Sequence, residues 1–252
     1  MPERASEHAC DTTCGTLLDG RVRFAQPVKG YRVAIDPVLL AAAVTAPERG
    51  RVVELGCGAG AALLCLATRR TDLRLVGIEI DADSAKLARA NVAANGIGER
   101  IEVLAADARR PPSSLKASFD AAFFNPPHLI DASVAPPPDA GKRRATIGTR
   151  GDIARWVGGA LALLRPKGSL IVIHRADRLD ELLAALGPAA GEIVVFPFWP
   201  RQGEAARRVI VRARKGLRSP LRLAPGLVLH RADGRYTEAV ERILRQGDAL
   251  AI

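Results

Sequence analysis

The sequence has no apolar run that approaches the ~20 residues needed to cross a bilayer. Its first residues, MPERASEHACDTTC, contain no apolar stretch of the kind that secretory signals carry. We therefore expect a cytoplasmic protein with no membrane partner and no secretory signal.

Cysteine is scarce, with four residues in 252: Cys10, Cys14, Cys57 and Cys65. In a cytoplasmic chain these are expected to be free thiols and not a disulfide framework. Cys10 and Cys14 lie close to His8, but no second pair of ligands follows, and structural zinc sites require four ligands. The sequence therefore predicts no metal site.

Acidic residues are outnumbered, 27 against 37 Lys and Arg, which gives a net charge of +10. Such a balance favours polyanionic partners, although an Ala-, Arg- and Pro-rich composition could also produce it. One Gly- and Pro-rich loop contains Lys142, Arg143, Arg144 and Arg150. The stretch 201–222 has eight basic residues and a single acid. On charge alone, we expect both regions to make salt-sensitive contacts with the phosphates of RNA or DNA.

Strand-like and helix-like segments alternate from residue 51 onward. The strands are RVVEL (51–55), LRLVGIEI (73–80), RIEVLAAD (100–107), SFDAAFFN (118–125) and SLIVIHRA (169–176). The helices are AALLCLATRR (61–70), DADSAKLARANVAANG (81–96), GDIARWVGGALALLRPKG (151–168) and DRLDELLAALG (177–187). Strands separated by helices predict right-handed crossovers and a doubly wound, mainly parallel sheet in an α/β fold.

The alternation stops near the C-terminus. Two strand-like runs, GEIVVFPFWP (191–200) and RRVIVRARKG (207–216), follow one another without a helix and predict an antiparallel hairpin that completes a seven-stranded sheet. Residues 1–45 are expected to form an N-terminal segment whose IDPVLLAAAV helix covers the edge of the sheet. Residues 46–217 are expected to form the cofactor domain, and 218–252 a strand and helix packed on that domain.

A glycine-rich turn, with Gly56, Gly58 and Gly60, follows the first of these strands. Glycines there let the backbone approach a ligand at the switch point of the sheet, and Glu79 ends the next strand, where it can accept ribose hydroxyls. This spacing also matches a dinucleotide fingerprint, so an NAD-dependent oxidoreductase is an alternative. The acid Glu54 before the turn, and a third glycine at 60 and not at 61, favour S-adenosylmethionine, a cofactor without phosphate.

The third strand ends in Asp107, which could bind an adenine amino group. In order, ELGCGAG, GIEID, AAD and NPP resemble the motifs of class I S-adenosylmethionine-dependent methyltransferases. Each motif alone is weak, whereas four at the ends of four successive strands are strong together.

The sequence NPPH follows the fourth strand. The amide oxygen of Asn125 and the carbonyl of Pro126 could accept both hydrogens of a planar amino group, while Pro127 fixes the backbone. This resembles the (D/N/S)PP(Y/F) signature of amino methyltransferases, whose aromatic residue stacks on a base. His128 occupies that place here, a departure that makes its role an open question.

A closer resemblance is to the bacterial tRNA(Val) adenine-N6 methyltransferase family. It extends over residues 22–44, the motifs above, 170–186 and 224–244. The resemblance implies that the IDP segment, with Asp36, contacts the cofactor and that the substrate is an adenine in tRNA. Three alternatives remain: a protein glutamine amide as acceptor, guanine N2 as acceptor, and a non-catalytic RNA-binding protein. Structural roles are expected for Cys57, Trp156, Trp199 and His174.

Overall fold

The computed structural model describes residues 12–28, 33–127, 152–187 and 189–252. His128 and the basic loop residues Lys142, Arg143, Arg144 and Arg150 lie outside the described residues. The predictions made for them stay predictions.

The described chain alternates strands and helices from residue 51 to residue 186. The strands are β1 (Thr12–Leu17), β2 (Val22–Pro27), β3 (Arg51–Leu55), β4 (Arg74–Glu79), β5 (Ile101–Ala105), β6 (Phe119–Phe124), β7 (Leu164–Arg175), β8 (Ala190–Trp199), β9 (Arg208–Lys215), β10 (Arg222–Leu223) and β11 (Leu227–Val228). The α-helices are α1 (Asp36–Ala43), α2 (Ala61–Arg69), α3 (Ala82–Ala94), α4 (Asp152–Leu163), α5 (Leu179–Leu186) and α6 (Glu238–Glu241).

The main sheet has the strand order β10-β8-β9-β7-β6-β3-β4-β5 within the described residues, and β11 pairs beside β10 along β8. Seven of its strands have five or more residues, and β10 and β11 have two each. Strand β9 runs antiparallel to β7 and β8, whereas the other pairings are parallel. The predicted α/β fold, with a mainly parallel sheet and a C-terminal antiparallel hairpin, is confirmed.

Helices cover both faces of the sheet. Successive residues of a strand point to opposite faces, so Phe123 belongs to the apolar layer under α1, α2 and α3, and Phe124 to the layer under α4 and α5. Both rings are fully buried. Burial on both faces is why the strands read as continuous apolar runs.

The hairpin β1–β2 was not predicted from the sequence. Four of the six residues of β1 are exposed, so the strand lacks the apolar alternation that indicates a strand. Its partner β2 is fixed instead by side chains of α3. Asn91 exchanges hydrogen bonds with the main chain of Ala25, and Asn95 does so with Arg23, at 2.7–2.9 Å. The hairpin therefore depends on contacts that are distant in sequence.

Two further expectations differ from the structure. Helix α1 packs against α2 and contacts β7, and because β7 lies between two strands the helix covers a face of the sheet and not its edge. Helix α4 ends at Leu163, three residues before Pro166, because Leu164 already pairs with Phe119 of β6. At the C-terminus, the helical turn α6 continues as a π-helical turn, Arg242–Gln246, and ends at Gly247 with φ +69°.

No helix within the described ranges is long and apolar enough to span a membrane. In the same part of the chain, no group of three or more His, Cys, Asp or Glu side chains is arranged to hold a metal ion.

Candidate active site

The carboxyl ends of β3, β4, β5 and β6 lie together at one edge of the sheet. Leu55 is in register with both Ile78 and Phe124, and Glu79 with Ala105. Glu54 is in register with Phe123, and Asn125 lies two residues beyond Phe123, so Glu54 and Asn125 belong to one face. The topology therefore brings the predicted motifs together, as expected for an open α/β sheet.

The glycine turn adopts backbone conformations that side chains disfavour. Gly56, Gly58 and Gly60 have φ values of +67°, +54° and +89°. The turn is held to β4 because the amide of Gly56 donates to the carbonyl of Ile78 at 2.7 Å. A Cβ added at Gly58 would meet no atom of the described residues within 4 Å, so these residues leave open space beside it. Space next to a fixed backbone turn is what a cofactor requires.

Glu79 links the glycine turn to the end of β4. One carboxylate oxygen accepts the amide of Gly58 at 2.8 Å, and the other accepts the amide of Asp81 at 2.9 Å. The side chain is buried, and burial raises its pKa although both amide donors lower it. Each oxygen keeps a lone pair, so Glu79 can still accept ribose hydroxyls as predicted.

Glu54 is a buried acid in the strand before the turn. It is only 4% exposed, and its Oε2 atom has no hydrogen-bond partner in the described part of the chain. Burial raises its pKa well above the ordinary value, while a hydrogen bond with the backbone of Leu63 lowers it and the charge of Glu79 raises it further. A buried acceptor without a partner is costly, so Glu54 offers an oxygen that a ligand donor can satisfy.

We expect Glu54→Gln to stabilise the free protein at high pH. Because the pKa of Glu54 is raised, the folded chain keeps this proton at pH values where the unfolded chain has lost it. The contribution of this proton to the free energy of unfolding is fully present below pH 4.5. It declines as the pH rises towards the raised pKa. Urea unfolding should give a variant more stable than the native chain at pH 8, with the difference shrinking towards pH 5. An advantage that grows on acidification would contradict this.

Cys57 lies inside the glycine turn and is buried. Burial and the charges of Glu54 and Glu79 raise its pKa well above the ordinary value, so it stays a thiol. This agrees with a structural interpretation, because the thiolate is the nucleophilic form.

Asp107 follows β5, near the edge where the motifs meet, but its carboxylate is already engaged. It forms a two-pronged ion pair with Arg109 at 2.9 and 3.0 Å and also accepts the Arg109 amide. Burial opposes its ionisation, but Arg109 outweighs burial and holds the pKa of Asp107 below its ordinary value. The pair is partly exposed, and Asp107 keeps acceptor capacity for an amino group.

Asn125 directly follows β6 and is itself followed by two prolines. Its Oδ1 atom is buried and has no hydrogen-bond partner among the residues that the structure describes. Pro126 is buried and Pro127 is partly buried, so the backbone after Asn125 is rigid and enclosed. The anchoring comes from Phe123 and Phe124, which are fully buried. The site thus presents a fixed, buried oxygen that lacks a donor among the described residues.

Asp36 lies at the start of α1, where Pro37 occupies an early helical position. Its carboxylate pairs with Arg208 at 2.9 Å, and Arg208 begins β9. Because β9 is antiparallel to β7, this start lies at the same edge as Asn125. The structure therefore places Asp36 at the candidate site, on the face that carries Glu54.

Two site residues were missed from the sequence. Ile80 follows Glu79 and is 49% exposed, an unusual position for a large apolar side chain, so it offers an apolar surface beside the predicted ribose site. Asn91 donates to the carbonyl of Ala59 in the glycine turn at 2.9 Å while it binds β2. Ile80 could have been found from the sequence, because it lies in the GIEID motif directly after Glu79. No local pattern indicates Asn91.

A sequence model described as the methyltransferase small domain matches residues 32–186 of this chain. That segment is more than half of the chain and contains every motif of the site. The chain belongs to the methyltransferase small domain family. Its cofactor is S-adenosylmethionine, in agreement with the glycine turn and the fold.

Relatives of this methyltransferase carry one recurring name. A tRNA1(Val) (adenine(37)-N6)-methyltransferase of Aeromonas hydrophila is 28% identical over 210 residues, which cover 82% of this chain and 86% of the relative. The enzyme of the same name from Phocaeicola vulgatus is 33% identical over 154 residues, 61% of this chain and 64% of the relative.

A solved structure is similar over nearly its whole length. The crystal structure of a predicted O-methyltransferase from Agrobacterium tumefaciens is 27% identical, with a TM-score of 0.72. The match covers 86% of this chain and 98% of that chain. It supports the class I methyltransferase fold over most of the chain.

Proposed function

We propose that this methyltransferase transfers a methyl group to the exocyclic N6 of an adenine in tRNA. The observation that carries the proposal is the buried Oδ1 of Asn125, an acceptor without a donor among the described residues. An amino group supplies the missing donor, and the Pro126 carbonyl is the next acceptor along a backbone that Pro127 stiffens. A group with two hydrogens fits two adjacent acceptors.

Asn125 and Pro126 act by orienting the nitrogen. When bound, S-adenosylmethionine supplies an electrophilic methyl group on a sulfonium. Two accepted hydrogen bonds hold the amino group so that its lone pair faces the position of that methyl group. As nitrogen gains positive charge, the same oxygens stabilise it, because preorganised acceptors face the developing charge. The nitrogen proton then becomes acidic enough to leave to solvent without a strong base.

The cofactor fits the chain's own groups. We propose that Glu54 accepts the cofactor's ammonium group, that Glu79 accepts the ribose hydroxyls and that Asp107 accepts the adenine amino group. Gly56, Gly58 and Gly60 provide the close backbone, and Asp36 lies at the neighbouring helix start. The open space at Gly58 and the buried free oxygen of Glu54 support this assignment.

The acceptor chemistry favours nitrogen over oxygen, although the solved Agrobacterium neighbour is described as a predicted O-methyltransferase. A hydroxyl group has one hydrogen and would leave one of two adjacent acceptors unpaired, at a cost of about 1–3 kcal/mol. An adenine amino group satisfies both. Glutamine amides and guanine N2 share this property, so the choice among amino groups depends on other observations.

RNA is favoured over a protein substrate by charge and by relatives. The chain carries a net charge of +10, which suits a polyanion. The Aeromonas relative, aligned over 86% of its length, is named for methylation of adenine in tRNA. A cytoplasmic location follows for an enzyme of this substrate. The basic loop with Lys142, Arg143, Arg144 and Arg150 is proposed to bind phosphate, and His128 to contact the base.

The test is mass spectrometry of tRNA nucleosides from a strain that lacks the gene. We expect one N6-methyladenosine to be lost and to return when the purified protein and labelled cofactor are added to that tRNA. Unchanged nucleosides together with methyl transfer to a release factor would overturn the proposal in favour of a glutamine amide. Loss of a methylguanosine would identify guanine N2 as the acceptor.

A further inference from the structure

We infer that the turn 229–237, seated on the β8–β9 connection, is an RNA-docking surface beside the active site. This inference depends on the proposed function and goes beyond it, since it assigns binding to a segment outside the methyltransferase motifs. The occupant is RNA next to the target adenine, held through its phosphates and an unstacked base.

The topology brings this turn to the active-site edge of the sheet. Strands β7 and β8 both run antiparallel to β9, so β8 ends at the same edge as β6 and Asn125. Strand β11 is parallel to β8, with Val228 in register with Trp199. The turn 229–237 therefore leaves the sheet on the side of Asn125. Strand β8 lies three positions from β6, on the order of 14 Å away, a distance that a short RNA segment spans.

The turn is built as a fixed platform. The amides of Leu229 and His230 donate to the carbonyls of Trp199 and Pro200 at 2.8 and 3.0 Å. The turn closes on itself, because the amide of Thr237 donates to the carbonyl of Leu229 at 2.9 Å. Gly234 allows the tight reversal, with φ +83°. Because the backbone of this turn is already fixed, RNA binding does not have to order it and avoids that entropic cost.

An aromatic pair lies at the base of the turn. The rings of His230 and Tyr236 are stacked with centroids 4.8 Å apart, and Nδ1 of His230 donates to the Pro200 carbonyl at 3.2 Å. Both residues are partly exposed, so part of the stack faces solvent. Sequence-specific RNA recognition uses such rings to stack unpaired bases.

The tip of the turn is cationic. Arg231 and Arg235 share a single carboxylate, Asp233, at 3.3 and 4.0 Å, and their side chains are 53% and 79% exposed. The neighbouring β8–β9 connection adds Arg201, whose partner is Glu204 at 3.2 Å, and Arg207. Four arginines face two acids across the two segments. Exposed guanidinium groups beside a stacking platform match the chemistry of an RNA strand.

The experiment compares two double variants that remove the same charge from opposite ends of the sheet. Arg231→Gln/Arg235→Gln changes the turn. Arg49→Gln/Arg74→Gln, the control, changes exposed residues near the starts of β3 and β4. Binding of unmodified tRNA is measured between 50 and 200 mM salt, on the order of the range where phosphate contacts are resolved.

We expect the turn variant to bind tRNA about tenfold more weakly at 150 mM salt than the native chain, with a log–log salt slope smaller by about 1.4, the loss of two single-strand phosphate contacts. The control should match the native chain. Tyr236→Ala should also weaken tRNA binding about tenfold, because the stacking ring is lost. Tyr236→Phe keeps the ring and should keep the native affinity. Calorimetry with S-adenosylhomocysteine should give unchanged affinity in all variants.

The inference is overturned if the turn variant and the control bind tRNA equally, or if the turn variant is instead deficient in methylating a protein. If the native chain methylates adenine in tRNA but the turn variants bind tRNA as the control does, the turn is not an RNA-docking surface. The proposed function would be unaffected by that result. A native chain that neither binds nor methylates RNA would refute both.

Discussion

Replacing Asn125 by Ala is expected to lower the rate of methyl transfer by a factor of about 10²–10³. The substitution removes the buried Oδ1, the acceptor that has no other partner among the described residues. The amino group then loses one of two hydrogen bonds that orient it and stabilise its developing charge. Single-turnover transfer of labelled methyl to unmodified tRNA measures this step directly, without a contribution from product release.

The controls separate chemistry from folding and from cofactor binding. Asn125→Asp keeps an oxygen acceptor at the same place and should retain much more activity than Asn125→Ala. Calorimetric affinity for S-adenosylhomocysteine should be the same in both, because Glu54, Glu79 and the glycine turn are intact. If Asn125→Ala transferred methyl groups at the native rate, the orienting role would be wrong. A chain that bound RNA normally but never methylated it would support the non-catalytic alternative.

Much of the site could be predicted because its position is fixed by the ends of buried strands. The run RVVEL coincides with β3, and SFDAAFFN with β6 and Asn125, since strands covered on both faces read as short apolar runs. Right-handed crossovers then bring the carboxyl ends of those strands to one edge. The sequence alone therefore places Glu79 and Asn125 at the same edge of the sheet.

The features that were missed depend on contacts between distant residues. Asn91 of α3 and Asn95, which caps the end of that helix, bind the main chain of β2, and nothing in their local sequence indicates this. The basic stretch 201–222 is predicted from the sequence to contact nucleic-acid phosphates. Its members are divided, because β9 carries Arg208 at the active-site edge, where it pairs with Asp36, and Lys215 at the opposite end, where it donates to the Leu164 carbonyl.

That division changes how the charge of the chain should be interpreted. Arg214 pairs with Glu192 and donates to the carbonyl of Lys167, so its role is structural within the described residues. At the active-site edge the stretch 201–222 contributes Arg208 and the arginines of the β8–β9 connection, and the turn 229–237 adds Arg231 and Arg235. A charge count therefore favours a polyanionic partner but gives no position for the contact surface.

Gly56→Ala is expected to be the most destabilising single change in the glycine turn. A Cβ at Gly56 would lie 2.6 Å from Cη2 of Trp156, and the backbone there has φ +67°. Trp156 cannot retreat freely, since its ring packs against Phe124 with centroids 5.6 Å apart. The left-handed conformation costs an alanine about 1–2 kcal/mol. The forced displacement of this partly buried ring adds about 1–3 kcal/mol.

Gly58→Ala is the matched control, because it has a similar positive φ of +54° but no atom within 4 Å of the added Cβ. Urea unfolding of the free protein should show Gly58→Ala losing only the conformational cost, and Gly56→Ala losing the conformational and the steric cost together. In calorimetry, Gly58→Ala should lose more affinity for S-adenosylhomocysteine than Gly56→Ala does, because its new methyl group fills the open space beside the turn.

Trp156→Leu combined with Gly56→Ala tests the cause of the loss. A smaller side chain at 156 removes the clash, so the double variant should be more stable than the sum of the two single changes predicts. Strict additivity would show that the ring contact is not the source of the destabilisation. Equal stability of Gly56→Ala and Gly58→Ala would lead to the same conclusion. The glycine at 56 would then be required by its backbone conformation alone, and Trp156 would have no part in shaping the cofactor turn.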